Sequence, residues 1–177
     1  MADSGGHTQF DKRAPSRVRI LVFWIIFVVV LILDRVCKIA IESYGQFGLT
    51  NTYLGLDGLF RFTLVHNTGA AWGIFAGNSL ILGVIALIVS ALMMAYALIW
   101  GKDGNTLQIV GLALVSAGGI GNAIDRFVFG YVVDFINVTF IDFPVFNIAD
   151  MGVTCGVIVF LAGLIVEWVS VGRYGGR

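Results

Sequence analysis

Charge is scarce in this sequence. Only 12% of the 177 residues are Asp, Glu, Lys or Arg, against roughly a quarter in an ordinary soluble domain. Apolar residues make up 58%, and the mean hydropathy is +0.93. A water-soluble fold is thereby excluded, and so is disorder, because apolar surface for burial is plentiful. A basic excess is also missing. Eleven basic residues face eleven acidic ones, which excludes a nucleic-acid binder working through a positive surface. Cys37 and Cys155 alone supply neither a disulfide framework nor a metal cluster. With two histidines and no His-Glu-x-x-His, a metallopeptidase lacks its ligands, and we expect neither metal nor cofactor. Internal repeats and low-complexity segments are absent too. What remains is a small integral membrane protein of one domain, 1–177.

A helix crossing a hydrocarbon core about 30 Å thick needs about 20 mostly apolar residues. Four stretches qualify, at about 18–41, 79–100, 106–125 and 150–171. The first apolar run meets Asp34-Arg35 without a small-residue cleavage site, so it is expected to be an uncleaved anchor rather than a signal peptide. Glycine and polar clusters such as Gly101-Lys102-Asp103-Gly104-Asn105 separate the spans.

Four spans place both termini on one side. That side carries Lys12, Arg13, Arg17, Arg19, Lys102, Arg173 and Arg177, and the other carries Arg35, Lys38, Arg61 and Arg126. The positive-inside rule predicts cytoplasmic termini, with 1–17 as a cytoplasmic tail and the loops after spans one and three facing outward. In the first outer loop, Tyr53–Gly58 reads as a turn-rich piece. Leu59–Val65 alternates around Arg61 and Thr63, with β-branched and aromatic residues, and predicts a strand. The fold class is thus all-α membrane protein, with four transmembrane helices and a small extracytoplasmic β element.

Polar groups near a bilayer are expensive and mark candidate functional positions. Asp34 and Lys38, four apart on one helix face, read as an ion pair ending the helix near the interface, or as support for a site. Asn67, ahead of Gly69-Ala70-Ala71, is either part of a close-packed loop or a group orienting a peptide or lipid carbonyl. His66 beside it reads as an ordinary interfacial histidine. Gly118, Asn122 and Arg126 share a stripe, with Asp125 on its flank. Small residues there permit close helix packing. Arg126 could snorkel to lipid phosphate or hold a carboxylate. Asn147 reads as the N-cap of span four, with Asp150 three residues later. Asp134, between Val133 and Phe135, has no such structural explanation.

Two carboxylates flanking one outer loop suggest a shared proton. Close carboxyls cannot easily both ionise, so one serves as acid while the other deprotonates a water. The helix dipole favours negative charge on Asp150 in the first turn, whereas desolvation favours neutral Asp134. Rival readings fit less well. A proton-coupled carrier would place its acids near the midplane, with repeats or broken helices. A structural membrane protein would explain the glycines but not Asp134. A Ser/Lys peptidase using Lys38 lacks a partner serine, and a Cys155/His66 pair lacks an orienting acid.

Five motifs occur in order: Asp34-Arg35-x-x-Lys38, Asn67-x-Gly69-Ala70-Ala71, Gly118-x-x-Gly121-Asn122-x-x-Asp125-Arg126, Val133-Asp134-Phe135 and Phe146-Asn147-x-Ala149-Asp150. Together they resemble the lipoprotein signal peptidases (signal peptidase II), over about Ile20 to Val171. The resemblance implies a four-helix inner-membrane aspartic endopeptidase with a small outer β cradle. It implies removal of the signal peptide from a prolipoprotein, cutting before the diacylglyceryl-modified cysteine. Asp134 and Asp150 match the catalytic pair. Asp34, Lys38, Asn67, Gly118, Asn122, Asp125, Arg126 and Asn147 match the supporting and substrate-binding positions. The expected partners are the lipid-modified prolipoprotein and membrane lipid, with no nucleic acid, and the expected state is a monomer. Arg35 stands where Gln is frequent, Trp72-Gly73 where Phe-Ser is frequent, and the amino tail is long.

Overall fold

The computed structural model describes residues 17–46, 55–56, 58–70, 74–99 and 105–174. Lys12, Arg13, Tyr53, Leu54, Asp57, Trp72, Gly73, Lys102 and Arg177, singled out above, lie outside the described residues. The elements are α1 (Arg17–Gln46), β1 (Gly55–Leu56), β2 (Phe60–Asn67), α2 (Ser79–Ile99), α3 (Thr106–Val128), β3 (Val132–Val138) and α4 (Ile148–Tyr174). All four helices are long and apolar enough to cross a membrane. At 1.5 Å per residue, the 30 residues of α1 extend about 45 Å, well beyond the hydrocarbon core.

Helix α3 is the central post. Two-thirds of its apolar window is buried, against about a fifth in each of the other three. Its small residues make this possible. Gly111 lies against the Gly156 carbonyl, Gly118 against the Ala149 carbonyl and Val153, and Gly156 in turn against the Gly111 carbonyl. A side chain at any of these would collide with backbone, so α3 and α4 meet along a glycine seam. On the other flank, Phe23 and Phe27 of α1 pack with Leu112, Ala113 and Ala117 of α3. The outer faces of α1, α2 and α4 expose residues such as Leu21, Ile32, Ile85 and Leu161, as lipid contact requires.

Polar pairs secure the end of the bundle remote from the sheet. Asn105 caps α3 by accepting from Gln108 N at 3.1 Å and donates to Gly163 O at 2.7 Å. Gln108 then donates to Glu167 at 2.6 Å, which satisfies the acidic residue of the fourth span.

The β element is a three-stranded antiparallel sheet, in order β1-β2-β3. Strand β2 begins at Phe60, one residue inside the predicted segment, and runs on through His66 and Asn67, because β3 pairs with it as far as Val132. Phe62 pairs with Ile136 but Val65 with Asp134, so one extra residue bulges from β2. Bulges of this kind re-aim side chains and recur beside active sites. Here the bulge sets Asn67 opposite Val132, one diagonal step from Asp134 on the same face. Gly130, with φ of +80°, makes the tight turn from α3 into β3.

Candidate active site

Five elements converge at the sheet end of the bundle. Strand β3 brings Asp134 and α4 brings Asp150 in its first turn. Strand β2 contributes Asn67, α3 contributes Asn122 and Arg126, and α1 contributes Lys38. Asp134 is only 2% exposed, and the first four residues of β3 are all buried.

Asn147 links the two acids. Its Oδ1 accepts from Asp150 N at 2.9 Å, and its own backbone N donates to Asp150 Oδ2 at 3.1 Å. This is the reciprocal capping arrangement that the Asn-x-x-Asp spacing predicts. The same side chain donates from Nδ2 to Asp134 Oδ1 at 2.6 Å. Asn67 Nδ2 reaches the other Asp134 oxygen at 2.9 Å, and Asn122 Nδ2 reaches Asp150 Oδ1 at 2.7 Å. Every oxygen of the pair therefore accepts an N–H. Burial pushes Asp134 up to about 7, helped by the charge of Asp150 and opposed by the Asn67 and Asn147 donors and by Lys38.

Behind the pair sits a buried ionic cluster. Lys38 Nζ lies 3.0 Å from Asp34 and 2.8 Å from Asp125 and donates to Asn122 Oδ1 at 2.9 Å. Arg35 joins the same acids, at 3.1 Å to Asp34 and 2.7 Å to Asp125. The two carboxylates in turn hold backbone. Asp34 accepts from Ala149 N at 3.1 Å and Asp125 from Val133 N at 3.3 Å, each beside one acid of the pair. Asp34 and Lys38 thus form part of a four-charge support, more than an isolated surface pair. Sequence reasoning places Arg35 in the first motif but gives it no partner, since Asp125 lies far along the chain and no local spacing connects them.

Arg126 donates to Gly69 O at 3.2 Å and spans the site toward the loop after β2. Gly69 is required there: a Cβ would lie 2.9 Å from Ile74 O and 3.2 Å from the backbone of Ala76. Gly118 lies one turn below Asn122 and serves the seam with α4. His66 turns away from the pair, bonding Glu42 at 2.8 Å and stacking on Tyr131.

Both acids open on a cavity of about 640 Å³ between α2 and α4, backed by α3. Leu82, Ile85 and Val89 line one wall, and Met151, Val153 and Thr154 the other. Asn67, Asn122 and Arg126 stand with the acids at its polar end, where Phe143 and Pro144 form part of the rim. The arrangement can hold an apolar segment between helices and present one bond to paired carboxyls. Among the described residues, no group of three His, Cys, Asp or Glu is placed to hold a metal ion.

These features define a polytopic membrane protein with a carboxyl pair at the polar end of an apolar cavity between its helices. A model of the family described as signal peptidase (SPase) II matches residues 26–166. The chain is 44% identical over 140 residues to a lipoprotein signal peptidase of Microcystis aeruginosa, covering 78% of this chain and 88% of that protein. It is 42% identical over 147 residues to one of Lactiplantibacillus plantarum, covering 81% and 94%. Two solved bacterial membrane enzymes superpose with TM-scores of 0.72 and 0.70, at 29% and 32% identity. The first alignment covers 94% of this chain and 96% of that one, and the second covers 86% and 96%. The chain belongs to the signal peptidase II family, as a multi-pass bacterial membrane peptidase.

Proposed function

We propose that this protein is an aspartic endopeptidase that removes the signal peptide of prolipoproteins, cutting before the diacylglyceryl-modified cysteine. The relatives named above are lipoprotein signal peptidases, which supports the substrate. The observation that carries the mechanism is the pairing of buried Asp134 with part-buried Asp150, with an N–H on every oxygen.

Asp134 is the resting acid and Asp150, in the first turn of α4, the resting carboxylate. A water between them attacks the scissile carbonyl and gives its proton to Asp150, while Asp134 protonates the carbonyl oxygen. Collapse of the tetrahedral intermediate breaks the C–N bond, passes the proton from Asp150 to the leaving amine and returns a hydroxyl proton of the diol to Asp134, which restores the resting pair. Arg126 and Asn67 orient the peptide, and the apolar cavity takes the signal-peptide helix.

Both termini are cytoplasmic and the acids lie near the outer face, the side on which the sequence carries fewer basic residues. The enzyme works as a monomer on a membrane-held substrate. Two acyl chains, at about 0.8 kcal/mol per buried methylene, hold the substrate in the bilayer. That anchoring is common to substrate and transition state, so the lipid acts chiefly by setting the depth of the scissile bond. The test is incubation of the purified protein with lipidated and unlipidated prolipoprotein. Signal-peptide release from the lipidated form alone is expected, and equal turnover of both would overturn the lipid requirement. In intact cells, an impermeant thiol reagent should label Asp57→Cys and miss Ala2→Cys. Labelling of the latter would reverse the orientation.

A further inference from the structure

The three amides around the carboxyl pair point the same way for a common reason. Each side-chain oxygen faces a group that can only donate, leaving each NH₂ no choice but the acids. For Asn67 that group is the backbone N of Gly69, at 2.9 Å. For Asn147 it is the backbone N of Asp150, at 2.9 Å. For Asn122 it is a side chain, the ammonium of Lys38 at 2.9 Å. Two orientations are thus built into the backbone and the third hangs on one lysine. Lys38 is 2% exposed, and its three hydrogens meet Asp34, Asp125 and Asn122.

We infer that Lys38 is a positioning residue, whose contribution to the reaction is to lock the Asn122 amide so that its NH₂ faces Asp150. The inference rests on the aspartic reading above. Loss of Lys38 leaves one negative charge in the cluster uncompensated, but each of its acids keeps a cationic partner. Arg35 contacts both Asp34 and Asp125, and those acids also hold Ala149 N and Val133 N. Asn147 is a weak substitute lock, because its second hydrogen is divided between Asn122 Oδ1 at 3.2 Å and Val133 O at 3.3 Å. With Lys38 present, a reversed Asn122 would set its NH₂ against an ammonium and its oxygen against a carboxylate. With Lys38 absent, only the second conflict remains, and a proton on the pair removes it. The doubly protonated, inactive pair is then favoured, and the acid limb of the pH–rate profile moves upward.

The charged groups around the pair are Asp34, Arg35 and Lys38 from α1, and Asp125 and Arg126 from α3. Strand β2 presents only the neutral Asn67, with His66 turned to Glu42.

Lys38→Met and Lys38→Gln lose the same charge, but only Gln keeps an N–H for Asn122. The measurement is kcat for signal-peptide release by the purified full-length variants from about pH 4 to 9. Lys38→Met should move the acid limb up by about one pH unit or more, and Lys38→Gln, which shares the lost charge but keeps the donor, by at least about half a unit less. Equal displacement of both would assign the effect to charge and overturn the lock. No displacement in either would reduce Lys38 to a structural role and overturn it as well. Should Lys38→Met fail to fold, Lys38→Leu, equally without a donor, takes its place in the comparison with Lys38→Gln. Asp134→Asn is the control. If it cleaves normally, the aspartic reading has failed. If it is inactive while the lysine variants disobey, only the lock has failed.

Discussion

The side chain of Asn147 touches both acids at once, with Nδ2 on Asp134 at 2.6 Å and Oδ1 on the backbone N of Asp150 at 2.9 Å. A helix cap and a contact to the proposed acid are thus one residue, and two substitutions separate them. Serine is a good N-cap but carries no NH₂, whereas alanine is neither. Asn147→Ala should therefore be less stable than Asn147→Ser by about 1 kcal/mol, the usual worth of a cap. Both should lose at least about tenfold in kcat, since Asp134 ionises as it gives its proton to the carbonyl, and a hydrogen bond to a charged group contributes roughly 1.5–3 kcal/mol. Thermal unfolding in detergent and signal-peptide release check the two halves. A Ser variant of full activity would show that Asn147 acts as a cap only.

Asp→Asn preserves shape but cannot exchange a proton. Asp134→Asn and Asp150→Asn should each remove most activity at matched membrane levels, a loss of at least about a hundredfold for a lost acid or base. Asp142 is exposed, in the loop between β3 and α4, and Asp142→Asn should be nearly silent. Near-normal cleavage by either of the first two proteins would sink the aspartic mechanism.

Helix count and the unusual setting of Asp134 were legible because both rest on short-range facts. An apolar run of span length announces itself, and a carboxylate between Val133 and Phe135 has no bland explanation. The Asn147 cap was legible for the same reason, since Asp150 is three residues away. The Asp34–Lys38 pair was only half legible. Its i,i+4 spacing was visible, but its link to Asn122 spans 84 residues and its sharing of Asp125 with Arg35 depends on how α1 packs on α3. The β2 bulge was equally hidden, because a strand's register is set by its partner.

The glycine seam yields a prediction about packing. A methyl at Gly118 would strike the carbonyl of Ala149 and Val153, and Ala149 precedes Asp150. Relief requires α3 and α4 to part, and overpacking of this kind costs about 1–3 kcal/mol. Gly118→Ala should lower the unfolding temperature and also reduce kcat, because it displaces the start of α4. Gly163→Ala meets Gln108 and Asn105 at the opposite end. It should lower the unfolding temperature while leaving kcat of the folded fraction within about twofold, since its contacts are with Gln108 and Asn105 and not with the start of α4. A matched loss of kcat in both variants would show that the seam affects the site as a whole.

Asp134 yields the pH prediction. Burial, then the charge of Asp150, holds its carboxyl at about 7, above its ordinary 3.8. Between those values the folded protein binds a proton that the unfolded chain has released. The contribution to stability is therefore full at low pH and declines as pH rises through this window, by up to about 1.4 kcal/mol per pH unit. Activity should fall on the same side, because the acid that protonates the carbonyl is lost above about 7. Asparagine at this position does not titrate. Asp134→Asn should thus gain stability relative to the parent on going from about pH 5 to 8, although it is inactive throughout. Unfolding temperatures of both proteins across that range, set beside the parent's kcat profile, test the assignment. Parallel stability curves through the window would show that Asp134 enters the reaction already ionised, and the roles of acid and base would pass to the other order.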